Sequence, residues 1–210
     1  MRKIGLIFLA LSAMVFTSCI EITEYLSQEN GKFVLDTRIA VQKVLLSMAQ
    51  TPGMDESSGL NALSDLDPDT LLSNYPPDMV VSKAKIDTDF ETGVAFTIRY
   101  DPAQVPQTTD QHTGFALIPH KKDNVLIVDL SLGNSEKSVE ENQAAMAILS
   151  GFKYRLMISK KLLPAPKSAK IVTENDEKPV TLIDYPDISM VEVSMAVLLN
   201  SSGPIHLEVE

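Results

Sequence analysis

Ile20-Glu21-Ile22-Thr23-Glu24-Tyr25-Leu26-Ser27-Gln28-Glu29-Asn30-Gly31-Lys32-Phe33-Val34-Leu35-Asp36-Thr37-Arg38-Ile39-Ala40-Val41 alternates at a period of two on either side of a single break. Ile20, Ile22 and Leu26 share one face of the first run, and Phe33, Leu35, Ile39 and Val41 share one face of the second. Extended backbone points successive side chains to opposite sides, so each run has one face suited to burial. Asn30-Gly31 supplies the adjacent positive φ values that a two-residue turn requires. The pattern predicts a β-hairpin over residues 20–42.

Similar alternation recurs toward the C-terminus. Met79 to Thr88 and Val94 to Tyr100, with a loop containing Gly93 between them, predict a second hairpin. Gly114 to Pro119 and Val125 to Leu130, joined by His120 to Asn124, predict a third. Phe152 to Ile158, Ala169 to Thr173, Val180 to Ile183, Ile188 to Val193 and Ile205 to Val209 read as further strands. Helical signals are fewer. Asp67-Pro68 is the pairing of an N-cap with a first helical residue, which predicts a short helix carrying Leu71 and Leu72 and ending before Pro76. Ser138 with Glu141 forms a capping box, and Val139, Met146 and Leu149 share one helical face, so residues 136–150 are expected to be helical. Hairpins outnumber helices, which predicts an α+β fold, mainly antiparallel β-hairpins with one or two helices packed on the sheet.

The N-terminal end carries a different kind of information. Met1-Arg2-Lys3 precedes an uncharged apolar run, Ile4 to Phe16, of the length of a secretory h-region and too short to span a bilayer as a helix. Val15-Phe16-Thr17-Ser18-Cys19 then resembles a bacterial lipobox, with Phe16 at the position usually held by Leu. Small residues beside the scissile bond suit a signal peptidase, and the thiol that follows can be alkylated by a diacylglyceryl group. The expected arrangement is a signal peptide over residues 1–18 and one globular domain over residues 19–210, with lipid attached at Cys19. Cys19 is the only cysteine, so no internal disulfide is open to it, and acylation accounts for an otherwise solitary thiol in an exported chain. The alternatives are an ordinary secretory signal in which Cys19 is incidental, or a buried cysteine of the mature chain. Each buried methylene of an acyl chain such as palmitate contributes about 0.8 kcal/mol, and two or three chains make the attachment effectively permanent. In bacteria that retain lipoproteins in the inner membrane by an acidic residue after the cysteine, Ile20 at that position favours the outer membrane.

Loss of residues 1–18 removes Arg2 and Lys3 and leaves 16 basic against 28 acidic side chains, a net charge of −12. No basic run is longer than Lys121-Lys122 or Lys160-Lys161. Phosphate neutralisation by Lys and Arg dominates nucleic-acid affinity, so no nucleic-acid partner is expected. The same charge repels an anionic bilayer surface, which leaves the folded part near the membrane through its tether.

No catalytic constellation emerges. His112, His120 and His206 are scattered, none beside a Gly-x-Ser-x-Gly elbow, and acylation of Cys19 removes thiol chemistry. No Walker or dinucleotide glycine pattern occurs. Asp65, Asp67 and Asp69 resemble the start of a calcium loop, but Thr70 and Pro76 stand where Gly and Glu are needed, so no metal is expected there. His112 with His120 lacks the spacing of a metal pair, and Glu140-Glu141 or Glu208 and Glu210 read as solvated faces. Met146, Met157, Met190 and Met195 fit two readings, gap-filling in a core that has no Trp, or the lining of a pocket for a hydrophobic ligand.

The cysteine followed at once by the Asn30-Gly31 hairpin, with Gly151-Phe152-Lys153-Tyr154-Arg155-Leu156-Met157-Ile158 running on to Leu163-Pro164, resembles the LppM-like family of bacterial lipoproteins. The resemblance implies an envelope-facing, non-enzymatic α+β domain able to hold lipid, and it carries over no functional residue. The expectation is therefore a lipid-anchored envelope protein outside the cytoplasm, an accessory or adaptor acting by binding and without cofactor. Its alternative is a carrier of lipid or another hydrophobic ligand.

Overall fold

A computed structural model describes residues 20–49, 66–73, 75–102, 117–130, 151–194 and 204–210. Cys19 and the predicted helix over residues 136–150 lie outside them. Strands dominate the described residues, with two short helices.

β1 (Ile20–Glu29) and β2 (Lys32–Gln42) form the predicted hairpin, in register from Ile20 opposite Val41 to Glu29 opposite Lys32. Asn30 at φ 51 and Gly31 at φ 81 make its turn. α1 (Lys43–Ala49) follows directly, a helix that no capping or periodicity signal in the sequence announces. In α2 (Pro68–Leu72) the cap is the expected one, with Asp67 Oδ2 accepting from the Thr70 amide at 2.9 Å and both Pro68 and Leu72 buried.

β3 (Val80–Asp87) and β4 (Glu91–Tyr100) pair antiparallel. Gly93 lies inside β4 and not in the preceding loop. It sits opposite Ala40 of β2, where a Cβ would overlap the Ile39 carbonyl oxygen, so glycine is what allows the two backbones to approach.

The third hairpin is shorter than the sequence suggested. β5 (His120–Lys122) and β6 (Val125–Asp129) turn over Asp123 and Asn124, with Asp123 at φ 56, so residues read as turn are strand. Asp and Asn tolerate the left-handed region and can hold such a turn in two residues. Leu117 and Pro119 are then not strand residues.

The remaining strands are β7 (Phe152–Ser159), β8 (Ala169–Thr173), β9 (Glu177–Pro179), β10 (Leu182–Asp184), β11 (Ile188–Ser194) and β12 (Ile205–Val209). They complete a seven-stranded sheet in the order β10-β11-β7-β1-β2-β4-β3 and a five-stranded one in the order β5-β6-β12-β8-β9. All pairings are antiparallel except β1 with β7, which run parallel with Ile20 opposite Phe152. The predicted strand over residues 180–183 is divided between the sheets. Val180 still donates to the Ala169 carbonyl at 2.9 Å, whereas Leu182 already pairs with Val191, so the chain changes sheets at Thr181.

Ile20, Ile22, Leu26, Phe33, Leu35, Ile39, Val94, Phe96, Ile98, Tyr154, Leu156 and Ile158 are buried on one face of the larger sheet. They join Leu126, Val128, Ile171, Ile205, Leu207 and Val209 of the smaller sheet, and Leu130 just after β6, in a single apolar cluster. Met79 joins this cluster, whereas Met157 and Met190 do not. Met157 and Met190 are cross-strand partners on the opposite, partly exposed face, while Met146 and Met195 lie outside the described residues.

Candidate functional site

Glu24 is in phase with Ile20, Ile22 and Leu26, so the alternation that buries those three also carries its carboxyl inward. It is 0% exposed at the middle of the apolar face, with Thr37 of β2 and Leu156 of β7 as its register neighbours. The Tyr154 hydroxyl donates to Glu24 Oε2 at 2.7 Å. Glu24 Oε1 and Thr37 Oγ1 are both buried, and among the described residues neither completes a well-formed hydrogen bond, although Thr37 and the Leu117 backbone lie near enough to favour the charged carboxylate.

A carboxylate without solvent strongly disfavours its charged form. Burial pushes the Glu24 carboxyl up to about 8, against the pull of Tyr154, the Leu117 backbone and Thr37 in the other direction. At neutral pH the group is mainly a neutral acid, and one with a proton to give. Three tyrosines respond to it. Tyr75 is raised to about 12, first by burial and then by Glu24. Tyr100 and Tyr154 are raised further, for the same two reasons in the same order. Tyr100 donates to the Pro119 carbonyl at 2.7 Å and packs edge-on against Phe33 at 5.8 Å, which draws the segment before β5 against this cluster.

The opposite face of the sheet is charged. Glu192 of β11 accepts from Lys153 Nζ at 2.8 Å and from Arg155 Nε at 2.7 Å, and Arg155 reaches on to Glu21 of β1. These pairs hold the Glu192 carboxyl below its ordinary value, Lys153 contributing most.

The candidates that the sequence singles out are dispersed. Cys19 and His112 lie outside the described residues, so lipid attachment stays a matter of the sequence. His120 is brought near His206 and Asp129, not to a metal partner, and partial burial followed by the His206 charge lowers its pKa. Asp67 caps α2 and Asp69 pairs with Lys83. Among the described residues no three His, Cys, Asp or Glu side chains converge as metal ligands, and no helix is long and apolar enough to cross a membrane. Glu24 is absent from the sequence candidates, although a carboxylate at a period-two core position is a readable signal.

Comparison with family models, with curated proteins and with solved structures yields no match.

Proposed function

We propose that this chain is a bacterial envelope lipoprotein, tethered outside the cytoplasm through acyl groups on Cys19 and acting by binding as an accessory or adaptor protein. The observation that carries the reading is the succession of a basic start, the apolar run Ile4 to Phe16 and Thr17-Ser18-Cys19, followed with no spacer by a buried strand residue, Ile20. Cleavage before Cys19 leaves the folded body intact, because β1 begins at the next residue. Binding is favoured over catalysis because Glu24, the carboxyl with the largest upward shift, is sealed. A general acid must come within hydrogen-bond reach of a substrate atom, and Tyr154 and Thr37 occupy its surroundings.

A second reading, a binder of lipid or another hydrophobic ligand, draws on Glu24 Oε1 and Thr37 Oγ1, which complete no well-formed hydrogen bond among the described residues. A ligand hydroxyl or carboxyl entering the core would complete the hydrogen bonds that these atoms lack.

Mass spectrometry of the full chain extracted from membranes tests the first reading. The native N-terminal peptide is expected to begin at Cys19 with a diacylglyceryl mass. Cys19→Ser is expected to give an unacylated protein released from membranes, and identical unacylated products from both chains reject the anchor. Native mass spectrometry tests the second, through a co-purifying lipid mass that Glu24→Gln with Thr37→Val abolishes.

A further inference from the structure

Phe90 is the most exposed large apolar side chain of the described residues, at 82%, and Val44, at 58%, comes next. An aromatic ring presented to water at a hairpin tip lowers the free energy of nothing in the folded chain. The tip is nonetheless well ordered by its bonds. Thr88 Oγ1 accepts from the amides of Phe90 at 3.3 Å and Glu91 at 3.1 Å, and the Thr88 amide donates to the Glu91 carbonyl at 2.9 Å. The Lys43 amide donates to the Phe90 carbonyl at 2.8 Å, which ties the tip to the start of α1 and sets Val44 next to it in the chain.

Register places this tip at the same end of the sheet as the N-terminus of β1. Ile20 is opposite Val41, Val41 is opposite Thr92, and Gln42 is opposite Glu91, so Ile20, Lys43 and Phe90 lie at the same end of the larger sheet. A trans peptide puts the Cα of Cys19 about 3.8 Å from that of Ile20. Only two strand spacings, about 10 Å, separate β1 from β4. Charge at the tip is largely cancelled. Asp87 pairs with Lys43 at 2.6 Å and Glu91 with Arg38, leaving Asp89 as the third carboxylate.

We propose that Phe90, with Val44, inserts into the interfacial layer of the membrane that holds Cys19, so that the domain stands with this end of the larger sheet down and is held at a second point. The inference rests on acylation of Cys19. A bilayer is the occupant because the chain itself leads there, with no residue between the proposed anchor Cys19 and the first residue of β1, Ile20. An aromatic ring gains from the headgroup boundary about 5–10 Å deep, where its apolar body leaves water. Net acidity keeps the remainder of the domain off an anionic surface, so attachment proceeds through this apolar point and not through a basic patch.

The chain contains no Trp, so a single introduced Trp reports depth without background. The acylated full-length protein carrying Phe90→Trp is reconstituted into phosphatidylcholine vesicles that include lipid brominated on the acyl chain. Tyr185→Trp is the reference. Tyr185 lies in the turn between β10 and β11, at the far end of β7, about 25 Å along the strands from Phe152. Trp at position 90 is expected to shift to the blue and lose about half its emission to the brominated lipid, as suits interfacial burial, with Trp at position 185 unchanged. Absence of quenching at position 90 in protein whose Cys19 peptide carries the acyl mass overturns the insertion and leaves the anchor standing. Equal quenching at both positions overturns the upright arrangement and so the insertion. A Cys19 peptide without acyl mass overturns both.

Discussion

The Tyr154 hydroxyl donates to Glu24 Oε2 at 2.7 Å across the parallel boundary between β7 and β1, joining residues 130 positions apart in the chain. Every other pairing in the larger sheet is antiparallel, and β1 to β7 is the connection that places a phenol beside an inward carboxyl. The bond is where the topology and the buried chemistry of the protein meet.

Glu24 makes stability fall as pH rises. Its folded pKa, about 8, lies above the ordinary carboxylate value of 4.5. Below the unfolded value both states hold the proton and the contribution is fully present. Between there and about 8 the unfolded chain releases its proton while the folded one keeps it, so stability is lost through that window and levels off above it. The loss attributable to Glu24 amounts to a few kcal/mol, because each tenfold difference in proton affinity between the two states is worth about 1.4 kcal/mol. Thermal unfolding from pH 4 to 10 is expected to show this descent in the native chain, and Glu24→Gln, which cannot ionise, is expected to flatten it. A native profile that coincides with that of Glu24→Gln overturns the assignment.

Tyr154→Phe removes the donor and leaves the ring. Loss of the hydroxyl strands a second oxygen of Glu24, whose Oε1 already lacks a well-formed hydrogen bond among the described residues, at a cost of about 1–3 kcal/mol. Tyr154 also opposes the rise in the carboxyl's pKa, so its removal extends the fall in stability to more alkaline pH. Denaturant titrations at pH 6 and pH 9 measure both effects. A variant as stable as the native protein at each pH shows the bond to be immaterial.

Gly93→Ala is expected to be among the most damaging single-methyl additions. The new Cβ meets the Ile39 carbonyl oxygen, a backbone atom of a paired central strand that cannot swing aside. Overpacking of this kind costs about 1–3 kcal/mol or more, and here it also separates β2 from β4. Chemical denaturation gives the loss, and hydrogen exchange at the β2 and β4 amides gives its location. Exchange unchanged in those strands argues against the close approach.

Glu192→Gln tests the outer face, with the opposite expectation. Glu192 serves both Lys153 and Arg155, but all three are about a third exposed and solvent screens the pairs. Exposed pairs of this kind contribute about 0–1 kcal/mol, less at high salt. Urea midpoints at low and high ionic strength are expected to differ little between native and variant. A loss as large as that of Tyr154→Phe means that the ladder contributes far more than its exposure permits.

Local information sufficed for the hairpin over residues 20–42, for the Asp67 cap and for most of the strands. Period-two apolar spacing and the backbone freedom of Asn30-Gly31 act within a few residues of one another, so nearby chemistry decides them. The division of the sequence near Thr181 between two sheets, and the shortened turn at Asp123-Asn124, depend on which strand lies alongside, and alternation alone carries no such information. Glu24 shows the same boundary most clearly. Its inward position follows from the spacing of Ile20, Ile22 and Leu26. That the carboxyl is neutral, bonded to Tyr154 and surrounded by Tyr75 and Tyr100 follows only from a parallel pairing between segments 130 residues apart, because desolvation and hydrogen bonding are set by the atoms that the fold brings near and not by neighbours in the chain.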